Sequence, residues 1–593
     1  MNKISRIFSL RAFFSVLFGF VVFLFFLRYY QFHLHYEEQL QLFLFTSDYW
    51  SQLISKPGGL ADYIGTFFTQ FYYVERLGAL IIALLLVLLQ LQVHSLTKKI
   101  TKNDSFFPLT FIPSILIFAL LCNENFLLSG LIALMLTLAA VQIYTLIKNP
   151  VLRIIGAIIV APVLFWFAGG VFWICSLLCL ILEWGYFKQL SKLQSIILIV
   201  GLLVTALSPV VFKHLFVLQY PLSRLWWGLC YSRYPVVSPY PLLVAWLSVP
   251  LLVVAFRFLP VFKKQSVNIA VLLSLSLIVS IFAAYFIRKS ADFKKEEIMA
   301  YDYYARTQNW DKIIALANHK DPDSPLSVAC LNLALSKTGK LGDSMFRYFQ
   351  NGPEGLLPTF QRDFTSPFIS GEIYYHLGFL NTSMRYNFEA MEAIPDYKKS
   401  ARAVKRMAEV NLLNGEYKVA AKYLSYLQST LFYRSWADET RKCIDNPKLI
   451  EQNKEWSALK KYRLTEDFLF SEQDKDQMLG ILFSHATTNK MAYEYLMAYT
   501  LLTKDIEHFV KYFPLGKSLD YQEIPSHFQE ALILFWSTQS ANFDQTPWPI
   551  TDPVKQYLVS YAKAYNTNGR ENADPRSMAD FSQTYWYYYH FRK

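Results

Sequence analysis

The sequence has few cysteines, six in 593 residues. None belongs to a CxxC pair or to another spacing typical of zinc ligands, so neither a zinc site nor a disulfide framework is predicted. The phosphate-binding pattern GxxxxGK[ST], the dinucleotide pattern GxGxxG, the metalloprotease pattern HExxH and the hydrolase pattern GxSxG are also missing. The common nucleotide-, zinc- and serine-dependent enzymes are therefore not indicated.

Charged residues are scarce as well, at 17% of the chain, whereas 54% of the residues are hydrophobic. Up to about residue 290, apolar runs recur that are long enough to cross ~30 Å of hydrocarbon. Beyond that point the runs are short and mixed with charge. The sequence therefore predicts an all-α protein with two domains, a transmembrane domain over 1–290 and a soluble helical domain over 291–593.

The apolar runs predict about nine membrane spans. The first run is expected to stay uncleaved, because the bulky residues after it offer no small-residue cleavage site. The nine runs are 12–27, 77–93, 107–122, 126–147, 151–167, 171–186, 195–211, 242–259 and 267–286.

Basic residues lie mainly in alternate loops between these runs, and cytoplasmic loops carry such an excess. The N-terminus is therefore predicted to be cytoplasmic, in an inner membrane, while the first loop, 31–76, and the domain over 291–593 lie outside, in the periplasm. This topology also explains much of the net charge of +12, so no nucleic-acid partner is expected. The basic residues of the inward loops are Lys98, Lys99, Lys102, Lys148, Arg153, Lys188, Lys192, Arg257, Lys263 and Lys264.

The first loop combines acidic residues with two candidate helices, over 36–54 and 60–73, separated by Lys56-Pro57-Gly58-Gly59. The second helix carries an apolar stripe typical of a helix lying in the bilayer interface. On the first helix Glu37 and Asp48 would lie about 20° apart in angle and about 16 Å apart along the axis. A site there needs a third group brought in by folding. The candidate catalytic residues are Glu37, Glu38, Asp48 and Asp62.

A second outward loop, 212–240, contains arginines and flat rings. Arginine suits phosphate because its planar fork donates two hydrogen bonds at once, and aromatic rings suit the apolar faces of sugars. An interfacial aromatic belt with cations extending to water is the alternative interpretation. The candidate substrate-binding residues are Arg224, Trp226, Trp227, Tyr231 and Arg233.

No metal site is predicted. His33 and Glu37, four residues apart, would share one ion on a helix, but polar side chains are common where a span leaves the bilayer. Asp321-Pro322-Asp323 resembles a DxD motif, yet its Asp and Pro residues favour a simple turn between helices. The cofactor stays unknown, with a divalent cation as the one candidate.

The C-terminal half shows apolar helices interrupted at Asn309, Gly339, Gly378 and Gly415, spaced by 30, 39 and 37 residues. Such periods resemble a degenerate tetratricopeptide array, whose concave surface would bind a protein or peptide partner. An ordinary helical bundle is the alternative. The aromatic tail over 585–589 is expected to pack on the domain or to touch the membrane.

The layout as a whole, a first span, an acidic outer loop, many spans and an outer helical domain, resembles the GT-C membrane glycosyltransferases. The double acid of some members has a counterpart here in Glu37-Glu38. More closely, the chain resembles an uncharacterised family of multi-pass membrane proteins of Bacteroidetes. The GT-C resemblance implies sugar transfer from a polyprenyl-phosphate carrier, with Asp48 or Glu37 acting as base or holding a divalent ion. Arg224 and Arg233 would neutralise the phosphate that leaves.

Two other functions stay open. A non-catalytic scaffold would anchor the helical-repeat domain for envelope assembly or export. A transporter is less favoured, because the predicted spans hold few ionisable residues apart from Arg153 and Glu183.

Overall fold

The computed structural model of the chain describes residues 3–101, 105–233, 240–363, 365–464, 470–519, 521–540, 542–567 and 575–592. Over these ranges the chain forms helices and no strand, apart from one isolated antiparallel bridge between Phe126 and Ser232. The predicted all-α fold class is confirmed.

The chain divides into two compact units. The first comprises Met1–Glu296, Pro395–Ala401 and Ser429–Arg434. The second comprises Glu297–Ile394, Arg402–Gln428 and Ser435–Lys593. Two short segments from the C-terminal half of the sequence therefore belong to the first unit.

The first unit is built from fourteen described helices, with π-helical turns at Phe25–Tyr29 and Glu183–Phe187 and 3₁₀ turns at Gln70–Tyr73, Phe107–Phe111 and Pro395–Tyr397. The helices are α1 (Lys3–Leu24), α2 (Gln31–Gln39), α3 (Ser47–Ile54), α4 (Gly59–Thr69), α5 (Glu75–Ile100), α6 (Ile112–Leu121), α7 (Leu128–Tyr144), α8 (Pro150–Ala168), α9 (Phe172–Leu182), α10 (Lys192–Ala206), α11 (Ser208–Leu215), α12 (Leu222–Trp227), α13 (Tyr240–Phe258) and α14 (Gln265–Ser290).

Five helices in the described part of the chain are long and apolar enough to cross a membrane, namely α1 with its π-helical turn, α5, α8, α13 and α14. The pair α10 and α11, bent by 45°, would make a sixth span if it crosses as one. Three shorter apolar helices occupy Phe107–Leu121, Leu128–Tyr144 and Phe172–Phe187. Each apolar run of the sequence thus lies on one of these helices, and the count of nine spans stays a prediction.

The ends of α8 illustrate how the sequence sets helix boundaries. Asn149 caps its start by accepting hydrogen bonds from the backbone of Val151 (2.9 Å) and Leu152 (3.3 Å), and Pro150 occupies the first turn. Its end is Gly169, whose φ of +83° favours glycine. The turn at 168–170 therefore joins α8 to α9.

The predicted helix over 36–54 is wrong. The structure ends α2 at Gln39 and begins α3 at Ser47, with non-helical residues between them. In that stretch the backbone N–H of Leu42 donates to Lys399 O (2.9 Å) and that of Phe45 to Ser429 O (2.8 Å). Pairing with these two segments replaces helical hydrogen bonds, and Thr46 then caps α3 through Tyr49 N at 3.2 Å. Glu37 and Asp48 lie on different helices, so the estimated 16 Å separation along one axis does not apply.

The predicted second helix is α4 followed by the 3₁₀ turn Gln70–Tyr73. Its small and polar residues are buried against the rest of the unit, whereas its large apolar residues are half-buried. Gly65 permits a close crossing with α7, since a Cβ added there would lie 2.7 Å from the Cα of Ser129. The buried residues are Gly59, Ala61, Asp62, Gly65, Thr66 and Thr69.

The second unit is also helical. Its helices are α15 (Phe293–Arg306, which begins in the first unit), α16 (Trp310–His319), α17 (Pro325–Lys337), α18 (Leu341–Ser344), α19 (Ser366–Leu377), α20 (Leu380–Ala393), α21 (Ala401–Asn414), α22 (Tyr417–Gln428), α23 (Arg434–Asp445), α24 (Lys448–Gln452), α25 (Lys454–Tyr462), α26 (Lys475–His485), α27 (Lys490–Leu502), α28 (Ile506–Tyr512), α29 (Ser526–Ser537), α30 (Asp552–Thr567) and α31 (Tyr585–Phe591).

Several of these helices follow one another as pairs joined by a left-handed residue. Gly339, Gly378 and Gly415 have φ of +70°, +104° and +81°, at the turn positions that the sequence indicates. Lys504, between α27 and α28, also has a positive φ, of 61°. The helix pairs are therefore present, while their assignment to tetratricopeptide-like repeats stays a prediction.

Two further expectations for this unit concern its loops and its end. Asp321-Pro322-Asp323 lies in the loop between α16 and α17, as expected for a turn. The aromatic tail forms α31, where Trp586 is buried and its indole N–H donates to Glu530 O at 2.8 Å. The tail therefore packs on its own unit.

The crossing of α4 and α7 yields a prediction. Replacing Gly65 with Ala forces a methyl group against the backbone of α7, and such overpacking typically costs about 1–3 kcal/mol. Thermal unfolding of the purified protein in detergent should occur at a lower temperature than in the wild type. The matched control is Gly480→Ala on α26, where an added Cβ meets nothing within 4 Å. That control should be neutral or slightly stabilising, because alanine favours a helix. Equal unfolding temperatures for both variants would contradict the close crossing.

Candidate functional site

The four candidate catalytic carboxylates lie in four different environments. Glu37 and Glu38, adjacent on α2, are both buried. Asp62 on α4 is fully buried, with an exposed fraction of 0%. Asp48, in the first turn of α3, is exposed. Three of the four carboxyl groups are therefore buried, and Asp48 alone is open to solvent.

Asp62 is held between two lysines. Its Oδ1 lies 2.7 Å from Lys398 Nζ, and its Oδ2 lies 3.0 Å from Lys56 Nζ. Burial alone would raise the pKa of Asp62, but the two ammonium groups outweigh it and lower that pKa to about 2. Burial would lower the pKa of Lys56, yet the attraction of Asp62 raises it above its ordinary value. Asp62 is therefore ionised at neutral pH, and Lys56 is charged.

The position of Lys56 depends on the Pro-Gly-Gly break that follows it. Gly58 has a φ of +81°, and its backbone N–H donates to Trp166 O at 2.8 Å. A Cβ at Gly58 would lie 2.8 Å from Cys230 Sγ and 3.5 Å from the Cα of Gly169. Only glycine fits this left-handed, crowded position, which fixes the turn between α3 and α4.

Beside these lysines lies a cavity of about 320 Å³ in the first unit, here called the cationic cleft. Lys56, Lys398 and Lys399 line it, and the one acidic residue in its described lining is Asp396. Most of its other lining residues come from α3 and the stretch before it. They comprise the apolar or aromatic Leu42, Leu44, Tyr49, Leu53 and Tyr220 and the polar Gln41, Gln52, Ser55 and Thr66. The cleft thus combines an excess of positive charge with walls that are partly apolar.

Asp396 links the cleft to Arg224. Its Oδ2 lies 2.9 Å from Arg224 Nη2, and both side chains are largely buried. The Arg224 guanidinium also faces the ring of Tyr220, with 5.9 Å between its carbon and the ring centroid. Arg224 therefore contacts the cleft residue Asp396, but Arg224 itself is not among the described lining residues of the cleft.

Glu37 and Arg233 form a buried ion pair that Gln41 links to the cleft, because Gln41 lines the cleft and its Nε2 donates to Glu37 Oε2 at 3.1 Å. Arg233 Nη2 donates to Glu37 Oε2 at 2.6 Å, and Arg233 Nη1 donates to Glu124 O at 3.2 Å. Burial raises the pKa of Glu37 to about 7, against the opposing attraction of Arg233. The neighbouring Glu38 accepts hydrogen bonds of 2.8 and 3.0 Å from the hydroxyl of Tyr433.

The aromatic candidates of the loop 212–240 have separate positions. Tyr231 is buried, its hydroxyl donates to Ala168 O, and the same oxygen accepts from Val171 N at 3.2 Å. Trp226 is half-buried against Phe172, and Trp227 is 36% exposed at the end of α12. Tyr231 thus holds the turn between α8 and α9, and the described cleft lining includes none of the three.

The histidines near α2 do not form a metal centre in the described part of the chain, where no group of three or more His, Cys, Asp or Glu residues is placed to hold an ion. Burial lowers the pKa of His33 to about 3, which keeps its imidazole neutral. The backbone N–H groups of Phe32 and His33 donate to the two carboxylate oxygens of Glu296 at 2.7 and 2.9 Å. Glu296 therefore caps the start of α2.

Apart from Lys56, which the sequence marks only as part of a break between helices, the residues not predicted from the sequence come from the two distant segments of the first unit. Lys398, Lys399 and Asp396 lie in Pro395–Ala401, and Tyr433 lies in Ser429–Arg434. The only local signals are the proline at 395 and the basic pair after it. Neither signal indicates that Lys398 pairs with Asp62, which lies 336 positions earlier in the sequence.

Fold and site together define a helical protein with several helices of membrane-spanning length and a cationic cleft. The chain belongs to a family of unknown function (DUF6057), whose pattern matches residues 6–592. No curated protein and no solved structure matches it.

The pairing of Asp62 can be tested by a double-mutant cycle. Lys398→Gln leaves a fully buried carboxylate with one cation fewer, and breaking a buried ion pair typically costs about 3–5 kcal/mol. Asp62→Asn should also lower the free energy of unfolding. The double variant should lose less unfolding free energy than the sum of the two single-variant losses. Unfolding temperatures in detergent measure each step. Lys399→Gln, the adjacent lysine of the cleft, is the control and should cause a smaller loss. Additive losses in the double variant would refute the pairing.

The pKa of Glu37 can be tested by infrared titration of the protonated carboxyl band, with Glu37→Gln to assign it. The midpoint should lie near pH 7, because burial disfavours the charged form. A raised pKa means that the folded state binds the proton more tightly. The stability it contributes is present below the ordinary value of 4.5 and is lost as the pH rises through about 7. A midpoint near 4.5 would show that the attraction of Arg233 cancels the effect of burial on the pKa of Glu37.

Proposed function

We propose that this chain is an integral inner-membrane protein that transfers a sugar from a polyprenyl-phosphate carrier at the outer face of the membrane. The observation that carries the proposal is the cationic cleft, in which three lysines and one aspartate lie next to walls that are partly apolar. A lipid-borne phosphate needs both surfaces, one for its charge and one for the first part of its chain.

Membrane insertion is supported by helix length and by exposed surface. Five described helices are long and apolar enough to span a bilayer. On α5 an exposed leucine stripe runs along one face, as expected where a helix meets lipid chains. We assign about nine spans, a cytoplasmic N-terminus and a periplasmic second unit from the distribution of Lys and Arg. The stripe comprises Leu80, Leu84, Leu88 and Leu91.

The lysines of the cleft suit a leaving phosphate. In sugar transfer the bond between the anomeric carbon and the phosphate oxygen breaks, and the phosphate keeps the electron pair. Cations placed where this charge develops lower the barrier. Lys56, Lys398 and Lys399 are assigned this role, in place of the arginines that the sequence favours. Asp62 is a positioning residue, because it holds Lys56 and Lys398 without lining the cleft.

Asp48 is the carboxylate best placed to act as the base. It lies one helical turn before Gln52, which lines the cleft, so both side chains share a face of α3. It is also exposed, which lets an acceptor reach it. The acceptor hydroxyl gives its proton to the Asp48 carboxylate while its oxygen bonds to the anomeric carbon. Glu37 and Glu38 are less suited, since both are buried in their own hydrogen bonds.

The layout shared with GT-C glycosyltransferases is consistent with this assignment. In both, an acidic outer loop follows the first span and a helical domain follows the last. The two substrate arginines are reassigned here, because Arg224 supports Asp396 and Arg233 pairs with Glu37.

Replacing Asp48 with Asn tests the reaction. Loss of a general base typically lowers a rate by about 10²–10⁴-fold, so the lipid-linked donor should build up in cells and the surface glycan should decline. Thin-layer or mass-spectrometric analysis of extracted lipids measures the build-up. The matched control is Asp311→Asn, another exposed aspartate in the first turn of a helix. Unchanged glycan and lipid profiles in a stably produced Asp48→Asn variant would contradict the proposal.

The second candidate function is a non-catalytic scaffold, and the helix pairs of the second unit favour it. Such pairs in a tetratricopeptide-like array would offer a surface for a protein or peptide partner. This function requires that replacing all four loop carboxylates leaves the cell envelope unchanged. Changes on the concave face of the array should then abolish complex formation.

A further inference from the structure

A second cavity lies between α1 and α5, away from the cationic cleft. The two helices cross closely at Gly19, where an added Cβ would lie 2.9 Å from Val87 Cγ2. On the side of this crossing toward Arg11 and Lys98 they enclose a space of about 660 Å³, here called the α1–α5 crevice. Its volume falls within the range of pockets that hold small molecules.

The crevice changes character along its length. Near one end lie three basic side chains, Arg11, Lys98 and Lys99, together with His94, and no carboxylate is among its described lining residues. Toward the crossing the walls are apolar, with Val16, Val87 and Leu91 among them. A cationic mouth that continues into an apolar slot is complementary to a molecule with a charged head and a hydrocarbon tail.

A buried chain of hydrogen bonds begins at Ser15, which lines the crevice. Ser15 Oγ donates to Gln90 Oε1 at 3.0 Å, and Gln90 Nε2 donates to Thr110 Oγ1 at 2.9 Å. These bonds satisfy the polar groups behind the crevice and tie α1 to α5 and to the residues before α6. These bonds tie the crevice walls to one another, and the basic side chains at its mouth favour an anionic ligand.

We propose that the α1–α5 crevice binds an anionic glycerophospholipid, with its phosphate at Arg11 and Lys98 and one acyl chain along Val87 and Leu91. A zwitterionic lipid would bring its own ammonium group against three cations and is disfavoured. Basic pockets between membrane helices commonly bind such head groups. The inference rests on membrane insertion, which is part of the proposed function, and is independent of sugar transfer.

Under the assigned topology the mouth of the crevice faces the cytoplasmic leaflet, because Arg11 precedes the first span and Lys98 follows the second. The cationic cleft lies on the other side of the membrane. The two sites would therefore draw on different leaflets, with the carrier lipid bound outside and a structural lipid bound inside.

The test uses the full chain purified in detergent and exposed to micelles containing equal amounts of phosphatidylglycerol and phosphatidylcholine. Native mass spectrometry counts the lipid that stays bound. The wild type should retain phosphatidylglycerol preferentially. Arg11→Gln combined with Lys98→Gln should lower its retention about thirty-fold, because each Lys or Arg near an anionic lipid contributes about five-fold. Lys99 is left in place, since its ammonium group also binds Thr145.

Two further variants test whether lipid retention depends on the crevice itself. Lys263→Gln combined with Lys264→Gln removes two exposed cations from the loop between α13 and α14 and should leave retention unchanged. Leu91→Trp places a bulky ring in the apolar slot at a position already 44% exposed, so the fold should tolerate it while lipid binding falls.

Three outcomes would overturn the proposal. Equal retention of the two lipids would show no charge selection. An equal loss in the Lys263/Lys264 control would show general surface attraction, and displacement by inorganic phosphate at the same concentration would show a site for small anions. Lipid retention is measured without donor or acceptor sugar, so the Asp48→Asn result does not affect it.

Discussion

Burying the charge of Asp62 is the constraint on which the site depends. A carboxylate with no exposed surface is tolerated only when it is paired, because its desolvation otherwise costs several kcal/mol. Lys56 supplies one partner from six residues away, and Lys398 supplies the other from the distant segment Pro395–Ala401. Satisfying Asp62 therefore requires this segment in the first unit, and it leaves two charged lysines at the edge of a cavity. The cationic cleft is a consequence of how one acid is neutralised.

Environment rather than residue type separates the acids of the first loop. Asp62 is ionised because two ammonium groups outweigh its burial, and the pKa of Glu37 rises because burial outweighs one guanidinium. Glu38 is occupied by the hydroxyl of Tyr433. Asp48 alone combines exposure with a place on a helix that lines the cleft. This difference is why we propose Asp48 for proton transfer, while the other three acids are held in buried contacts.

Local sequence patterns predicted most helices. They did not predict contacts between residues that are far apart in the sequence. Apolar runs predicted each membrane-length helix found among the described residues, since hydrophobic length is a property of a continuous segment. Glycines marked the turns of the second unit, because φ above zero is a local demand. The helix over 36–54 was predicted wrongly, because its middle pairs with the backbones of Lys399 and Ser429 and no nearby residue signals this. Arg224 and Arg233 were recognised as notable cations, yet their partners Asp396 and Glu37 decide what they do.

The most direct test of this account is an electron cryomicroscopy structure of the full chain in lipid nanodiscs, determined with a polyprenyl phosphate added. The account predicts Lys56 and Lys398 on either side of Asp62 and a phosphate within hydrogen-bonding distance of the lysines of the cleft. A structure in which Lys398 lies away from Asp62, or in which the phosphate occupies another site while the cleft stays empty, would contradict it.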